Sequence, residues 1–288
     1  MTTPRPSRGL KRHRALLIAL AALWCTATPA GALVVCADPN NLPFSNRRQQ
    51  GFENKLVVLL ARDLRTKVRY EWWAQRRGFA RNTLGQSRCD LWPGVVTGLP
   101  SMATTRPYYR STYVFLTRQD RPLPDLTLDD PRLRDVLIGV QMIGDDAMNT
   151  PPAHALARRG LTQNIRGYTL YGDYHRPNPP AAIVDAVENH AIDVALVWGP
   201  LAGYFAARER RPLRLQPIVP AQDGGWPMTF DISVGVRRNE PELLQQIDAA
   251  LAAEQPAIRE LLREFSVPQV DASRFASVAP NAGDVPSP

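Results

Sequence analysis

The chain has 288 residues, of which 44% are hydrophobic and 22% are charged, so it is long enough for two modest globular domains or one large one. The formal net charge of +8 suggests a nucleic-acid or membrane partner, but five basic and no acidic residues precede position 33. A chain cleaved there keeps 30 basic and 27 acidic residues, a charge of +3 with arginines scattered among acids, which argues against nucleic-acid binding.

The first 32 residues have the pattern of a signal peptide. A basic stretch is followed by the apolar run ALLIALAALWC and then by small residues at 30–32. The apolar run of about 11 residues is too short to span a bilayer, and Trp24 before Cys25 argues against a lipid anchor. We therefore expect cleavage after Ala32 and a mature protein in the periplasm, without stable membrane insertion.

The next part of the chain alternates strand and helix patterns. The predicted strands are 32–37, 68–73, 89–96 and 111–118, and the predicted helices are 51–68 and 75–88. This order is typical of a parallel sheet covered by helices. A proline-rich acidic segment at 119–135 then favours a domain boundary.

A second alternating run follows this boundary. Its predicted elements are 136–142, 150–161, 181–193, 194–199, 230–237 and 240–265, the last broken at Pro256. We expect two crossings between the domains, near 118–122 and 224–229, to form a hinge beside a ligand cleft. The predicted organisation is a signal peptide 1–32, a first lobe 33–118 plus 229–268, a second lobe 119–228, and a disordered tail 269–288.

Several segments in this order resemble the type II periplasmic solute-binding proteins, in particular the branch that contains amino-acid binders of ABC importers. The segments are CADPNNLPFSNRRQQGFENKLVVLLARDL, CDLWPGVVTGLPSMATTRPYYRSTYVF and AIDVALVWGPLAGYF, and the resemblance covers about residues 33–268. It implies a two-lobed α/β fold with two parallel-dominated sheets, flanking helices and a double-stranded hinge.

A narrower set of segments resembles the J proteins of bacterial methanol oxidation systems. Eight occur in the same order: CADPNNLPFSN, WWAQRRGFARNTL, TTRPYYRSTYVF, IGVQMIGDD, NTPPAHALARRG, YGDY with NPPAAIVDAV, DVALVWGPLAGYF and FDISVGVRR. This resemblance implies a periplasmic accessory protein for a PQQ-dependent methanol or alcohol dehydrogenase, whose partners would be that enzyme and its cytochrome c. The alternative is the substrate-binding component of an importer.

The chain departs from the amino-acid binders at both charged contacts that they use. The loop 97–101 has no arginine to bind a substrate carboxylate, and Trp198-Gly199-Pro200 stands where an aspartate would hold the ammonium group. An amino acid would lose its hydration in such a cleft without gaining matched charges, which is costly. The sequence therefore disfavours amino-acid transport despite the fold that it implies.

No catalytic pattern stands out in the sequence. There is no nucleophile elbow, and the adjacent carboxylates in Gly144-Asp145-Asp146 are more typical of a turn or helix cap than of acid–base catalysis. Cysteines and histidines lack metal-ligand spacing. We therefore expect a protein that is not an enzyme and that holds no metal or cofactor.

Aromatic and polar residues near predicted strand ends are candidates for a ligand or partner site. Their rings could clasp a small apolar or planar molecule, or they could simply pack the cleft walls. The arginines could contact an anion or a partner's carboxylates, or lie solvated on the surface. Adjacent Trp72 and Trp73 should point to opposite faces of a strand, one into the core. The candidates are Asn40, Asn41, Phe44, Trp73, Gln75, Arg76, Arg77, Arg81, Arg106, Tyr108, Tyr109, Arg110 and Trp198.

Two cysteines, Cys36 and Cys89, remain after signal cleavage. In an oxidising compartment they could form one disulfide, or they could remain two buried small residues. Cys36 lies late in the first predicted strand and Cys89 at the start of the third, so a bridge requires a shift in register between them.

Overall fold

The computed structural model describes residues 31–121, 123–142, 149–169 and 174–270. The signal peptide before residue 31, the turn at 144–146 and the tail beyond residue 270 are predictions that lie outside the described residues. No helix within the described ranges is long and apolar enough to cross a membrane.

Strands and helices alternate along the chain. The strands are β1 Leu33–Ala37, β2 Asn40–Asn41, β3 Ser45–Asn46, β4 Val68–Trp72, β5 Leu91–Val96, β6 Ala103–Thr104, β7 Tyr109–Arg118, β8 Ile138–Met142, β9 Ile165–Thr169, β10 Val194–Trp198, β11 Leu213–Pro217, β12 Gln222–Asp223, β13 Trp226–Pro227 and β14 Thr229–Val236. The α-helices are α1 Phe52–Asp63, α2 Phe79–Asn82, α3 Pro151–Arg158, α4 Ala182–Glu188, α5 Gly199–Ala206, α6 Pro241–Ala253 and α7 Gln255–Glu264, with short 3₁₀ turns at Leu84–Gln86, Pro131–Arg134 and Pro179–Ala181.

Within the described ranges, the main strands form one mixed sheet of ten strands. Its order is β4-β1-β5-β14-β7-β10-β8-β9, with β6 beside β14 and β11 beside β7. The α/β class predicted from the sequence is confirmed, but the prediction of two separate parallel-dominated sheets is wrong in this respect. The reason is the length of β7, which pairs antiparallel with β14 through residues 109–112 and with β10 through residues 113–117, and so joins the two sets of strands.

Parallel pairing is confined to the two ends of this sheet. At one end β1 lies between β4 and β5, and at the other β8 lies between β10 and β9. The sequence analysis missed β9 as a strand because it is an edge strand, of sequence IRGYT, whose residues are only half-buried or exposed. An edge strand buries few side chains and therefore needs no apolar run.

Helix α1 packs an apolar face against the core beside the first set of strands. Phe52, Leu56, Val57 and Leu60 are fully buried on it, at the helical spacing that predicted the element. The Phe52 ring contacts the rings of Tyr109 and Phe265 edge-on, at 5.9 Å in each case. These contacts fix the amino end of α1 against β7 and the carboxyl end of α7.

Candidate functional site

A cavity of about 320 Å³ lies where the amino end of α1 and the carboxyl end of β10 meet the crossing of β7 and β14. Strand ends and helix starts bring polar and aromatic side chains together there. The residues that line it are Asn41, Phe44, Glu53, Gln75, Gly94, Val96, Tyr109, Tyr113, Gln141, Trp198, Leu201, Phe230 and Ile232. None of these lining residues is Lys, Arg or His.

Three aromatic rings from three different strands form one wall of the cavity. Tyr113 on β7, Trp198 at the end of β10 and Phe230 on β14 contact one another edge-to-face, with centroid separations of 5.2, 5.8 and 6.4 Å. We call these residues the aromatic triad. All three of these residues line the cavity.

Two more rings extend this wall toward α1. Phe44 contacts Phe52 at 5.5 Å, and Tyr109 contacts the same ring from β7. Glycine at position 51 permits this arrangement, because a Cβ there would overlap the carbonyl group of Phe44. Burial, and then the negative charge of Glu53, raise the pKa of Tyr109 well above its usual range, so its hydroxyl stays protonated.

Glu53 is the most unusual group in the cavity. Its side chain comes from the first turn of α1, only 6% of the residue is exposed, and its carboxyl group lies against Gly94, where any Cβ would collide with it. No described residue gives this carboxyl group a hydrogen bond or an ion pair. Burial, and then the charge of Asp38, raise the pKa of Glu53 to about 8.

Asp38, whose negative charge acts on Glu53, in contrast accepts hydrogen bonds from three donors. Its carboxylate accepts hydrogen bonds from the backbone N–H of Asn40 at 2.8 Å, the backbone N–H of Gln75 at 2.7 Å and the Tyr174 hydroxyl at 2.9 Å. Burial outweighs these donors, and the pKa of Asp38 is raised. Asp38 therefore organises the cavity rim, since it holds in place the segments that carry Asn40 and Gln75.

Amide side chains complete the polar part of the site. The Asn41 Nδ2 group donates to Gln75 Oε1 at 3.0 Å, and the Trp198 backbone N–H donates to Gln141 Oε1 at 2.9 Å. The Asn40 Nδ2 group donates across the rim to the Arg176 carbonyl oxygen at 2.8 Å. These bonds fix the orientation of the rim residues.

The structure brings only part of the candidate set from the sequence into the cavity. Asn41, Phe44, Gln75, Tyr109 and Trp198 line it, and Asn40 lies at its rim. Trp72 packs on the core beside α1, stacked on Tyr70 at 4.6 Å.

The other candidates lie elsewhere. Tyr108 is buried, and its hydroxyl donates to the Pro93 carbonyl oxygen at 2.9 Å. Trp73 packs beside the cysteine pair under the Arg88 guanidinium, and Arg76 and Arg77 are exposed. Arg106 pairs with Asp248 at 2.8 Å and Arg110 with Asp231 at 3.0 Å, while Arg81 is exposed on α2.

Sequence reasoning missed four important lining residues, namely Glu53, Tyr113, Gln141 and Phe230. Gln141 carried a usable signal, since it is a polar residue inside the apolar strand IGVQM and is 2% exposed. Glu53 carried none, because a glutamate in the first turn of a helix ordinarily complements the helix dipole in solvent.

Cys36 and Cys89 are joined by a disulfide, with their Cα atoms 5.4 Å apart. The pairing between β1 and β5 makes this reach possible, because Val35 lies opposite Leu91 and Cys89 precedes β5 by two residues. Both cysteines are buried beside Phe79 and Leu84. Within the described ranges, no group of three or more His, Cys, Asp or Glu is placed to hold a metal ion.

Comparison with known proteins gives matches over most of the chain. Protein MoxJ of Methylorubrum extorquens is 32% identical over 257 residues, which are 85% of this chain and 83% of that protein. No protein-family profile matches. The crystal structure of the periplasmic binding protein XoxJ from Methylobacterium extorquens AM1 is 35% identical with a TM-score of 0.68, covering 83% of this chain and 100% of that one. MxaJ from Methlophaga aminisulfidivorans MPT is 26% identical with a TM-score of 0.70 over the same shares.

Proposed function

The chain belongs to the MoxJ family, with a periplasmic solute-binding protein fold, and from this premise we propose that it is an accessory protein of a PQQ-dependent methanol or alcohol dehydrogenase. It would assist assembly, maturation or activation of that enzyme by protein contact, with the enzyme's cytochrome c as a further partner. The resemblance to the J proteins, predicted from eight segments, is confirmed by the family relationship.

The composition of the cavity carries this proposal. An importer for amino acids must match a carboxylate with a cation, yet the part of the lining that the structure describes has no basic side chain and contains a buried acid instead. The chain has thus kept the binding-protein fold without the contacts for an amino acid. Protein contact is a function that the fold can perform without those contacts.

The proposal also states where the protein works, how its chain is divided into lobes and whether it catalyses a reaction. We propose export with cleavage after Ala32, and two lobes, 33–118 plus 229–268 and 119–228, that meet at β7 and β14. The fold favours binding over catalysis. We therefore propose that the protein is not an enzyme.

A deletion strain tests the accessory role directly. We expect periplasmic dehydrogenase activity to fall sharply in the deletion strain and to return with the intact gene. A gene without codons 2–32 is the matched control, because it encodes the same mature chain without the export signal. Crosslinking of the purified mature chain to the dehydrogenase should capture a complex. Normal activity in the deletion strain would refute the accessory role.

The alternative function is the substrate-binding component of an importer for a small solute that is not an amino acid. The cavity favours this candidate, since its volume of about 320 Å³ falls within the usual range of ligand sites. Permease genes next to this one would support it, and a dehydrogenase gene with a c-type cytochrome gene would support the accessory role. Growth of the deletion strain on candidate solutes separates the two functions, because only the importer is needed for uptake.

A further inference from the structure

A buried acid without a partner is a costly feature for a fold to keep. Glu53 is 6% exposed, and no described residue donates a hydrogen bond to its carboxyl group or pairs with it. A buried ionisable group is ordinarily paired with an opposite charge or hydrogen-bonded. An apolar side chain of similar size would fill this place at lower cost. The missing partner therefore points to a ligand that enters the cavity.

The charges around Glu53 determine the sign of that ligand. Among the described residues, the titratable groups that face its carboxyl group are Asp38, in the turn after β1, and the hydroxyls of Tyr108, just before β7, and Tyr109, on β7. Every one of these groups is neutral or negative, and the described residues of the cavity lining include no basic residue. An anionic ligand would be repelled, whereas a cation would be attracted by Glu53 and by Asp38 behind it.

The aromatic residues determine the chemical type of the cation. The aromatic triad and the rings of Phe44 and Tyr109 all line the same cavity as the Glu53 carboxyl group. Aromatic faces attract cations through their negative π surface, and several rings around one site are a recognised arrangement for methylated ammonium groups. Such rings cannot replace the hydration of a small metal ion, which requires oxygen ligands.

We propose that this cavity binds a small organic cation of the alkylammonium class, whose charged group lies among the aromatic triad and pairs with the Glu53 carboxylate. The volume of about 320 Å³ suits a small molecule. Because a cation stabilises the ionised form of Glu53, its binding releases the proton that the empty site holds at neutral pH. This binding does not depend on the dehydrogenase role, and either can fail alone.

Calorimetry with a charged and an uncharged probe of the same shape tests the proposal. Choline and 3,3-dimethylbutan-1-ol differ in one atom, nitrogen against carbon, and therefore in charge. On the mature chain 33–288 we expect choline to bind at least about tenfold more tightly than the alcohol. Its affinity should rise about tenfold for each pH unit up to about pH 8, and the affinity of the alcohol should stay constant. Titration in two buffers of different ionisation enthalpy should show the released proton.

Variants locate the binding in this cavity. Glu53→Gln should weaken choline binding at least about tenfold at pH 8 and leave the alcohol unaffected. Trp198→Leu keeps the carboxyl group and should weaken choline binding about three- to thirtyfold through loss of the ring. The control Asp63→Asn removes an exposed carboxyl group at the other end of α1 and should change neither affinity. Circular dichroism establishes that each variant is folded.

Three results would overturn the proposal. The first is equal affinity for choline and its uncharged analogue. The second is unchanged choline binding in folded Glu53→Gln or, should that variant not fold, in Trp198→Leu. The third is that neither choline, tetramethylammonium nor methylammonium binds the wild-type chain at concentrations up to about 10 mM. A normal accessory phenotype with any of these results would refute the cation site and leave the dehydrogenase role standing.

Discussion

Replacement of Glu53 with glutamine should make the protein more stable at neutral pH and should remove part of its pH dependence. An unfolded glutamate has a pKa of 4.5, whereas in the fold burial raises the pKa of Glu53 to about 8. Between these values the folded state holds a proton that the unfolded state has lost, so stability decreases as pH rises from about 4.5 to about 8. Above that window, both states are ionised and the dependence ends.

The magnitude follows from the same two pKa values. At 1.36 kcal/mol for each unit of pKa, the whole window corresponds to about 5 kcal/mol, of which about 3 kcal/mol is lost by pH 7. Glutamine has a similar shape and does not ionise. Glu53→Gln should therefore match the wild type near pH 4.5 and exceed its free energy of unfolding by up to about 3 kcal/mol at pH 7.

Urea unfolding of the mature chain, followed by tryptophan fluorescence at about pH 5, 6, 7 and 8, measures this difference. The raised pKa of Asp38 is present in both proteins, so the difference between their curves reports mainly on Glu53. Asp63→Asn, which removes an exposed carboxyl group from the same helix, should run parallel to the wild type. Parallel curves for the wild type and Glu53→Gln would refute the assignment of a neutral buried acid.

Three further predictions concern stability. Replacement of Cys36 and Cys89 by serine should lower the free energy of unfolding by about 4 kcal/mol, because the bridge closes a loop of 53 residues. Alkylation that finds two free thiols in the native protein would contradict the bridge. Arg118→Met should lower the free energy of unfolding in urea by about 2–4 kcal/mol, because the guanidinium of this 2%-exposed residue donates to the carbonyl oxygens of Val187 and Ile192, both at 2.9 Å. A decrease below about 0.5 kcal/mol would show that water takes over these two hydrogen bonds. Tyr174→Phe removes the hydroxyl donor of Asp38 and should cost about 1 kcal/mol at pH 7, and an unchanged urea midpoint would show that this bond adds no stability.

The sequence allowed good prediction of elements that bury an apolar face. Strands β1, β5, β7 and β10 were predicted close to their observed bounds, and the start of helix α1 was too, although the helix ends at Asp63 and not at the predicted residue 68; burial imposes a periodic pattern on these residues. Edge strands such as β9 bury little and leave no such pattern. The union of the strands into one sheet depends on the pairing of β7 with β14, which are more than a hundred residues apart.

The candidate site was less predictable than the fold. Phe44, Gln75, Tyr109 and Trp198 were identified through their positions near strand ends, where ligand sites of α/β proteins lie. Glu53 was missed because its importance comes from what surrounds it. A glutamate becomes a buried neutral acid only when Gly94 makes room for it and no cation approaches, and neither condition can be read from its own position in the chain.

The disulfide makes one side of the cavity depend on oxidation of the two cysteines. The loop that it closes, from Cys36 to Cys89, contains Asn41, Phe44, Glu53 and Gln75, so one bond ties together the part of the chain that supplies this side of the cavity. Disulfides form in the periplasm, whereas in the cytosol cysteines are kept as reduced thiols. In an exported chain, this wall is therefore tied down only after translocation. Formation of this disulfide would then delay binding in the cavity until the protein has reached the compartment of its partner.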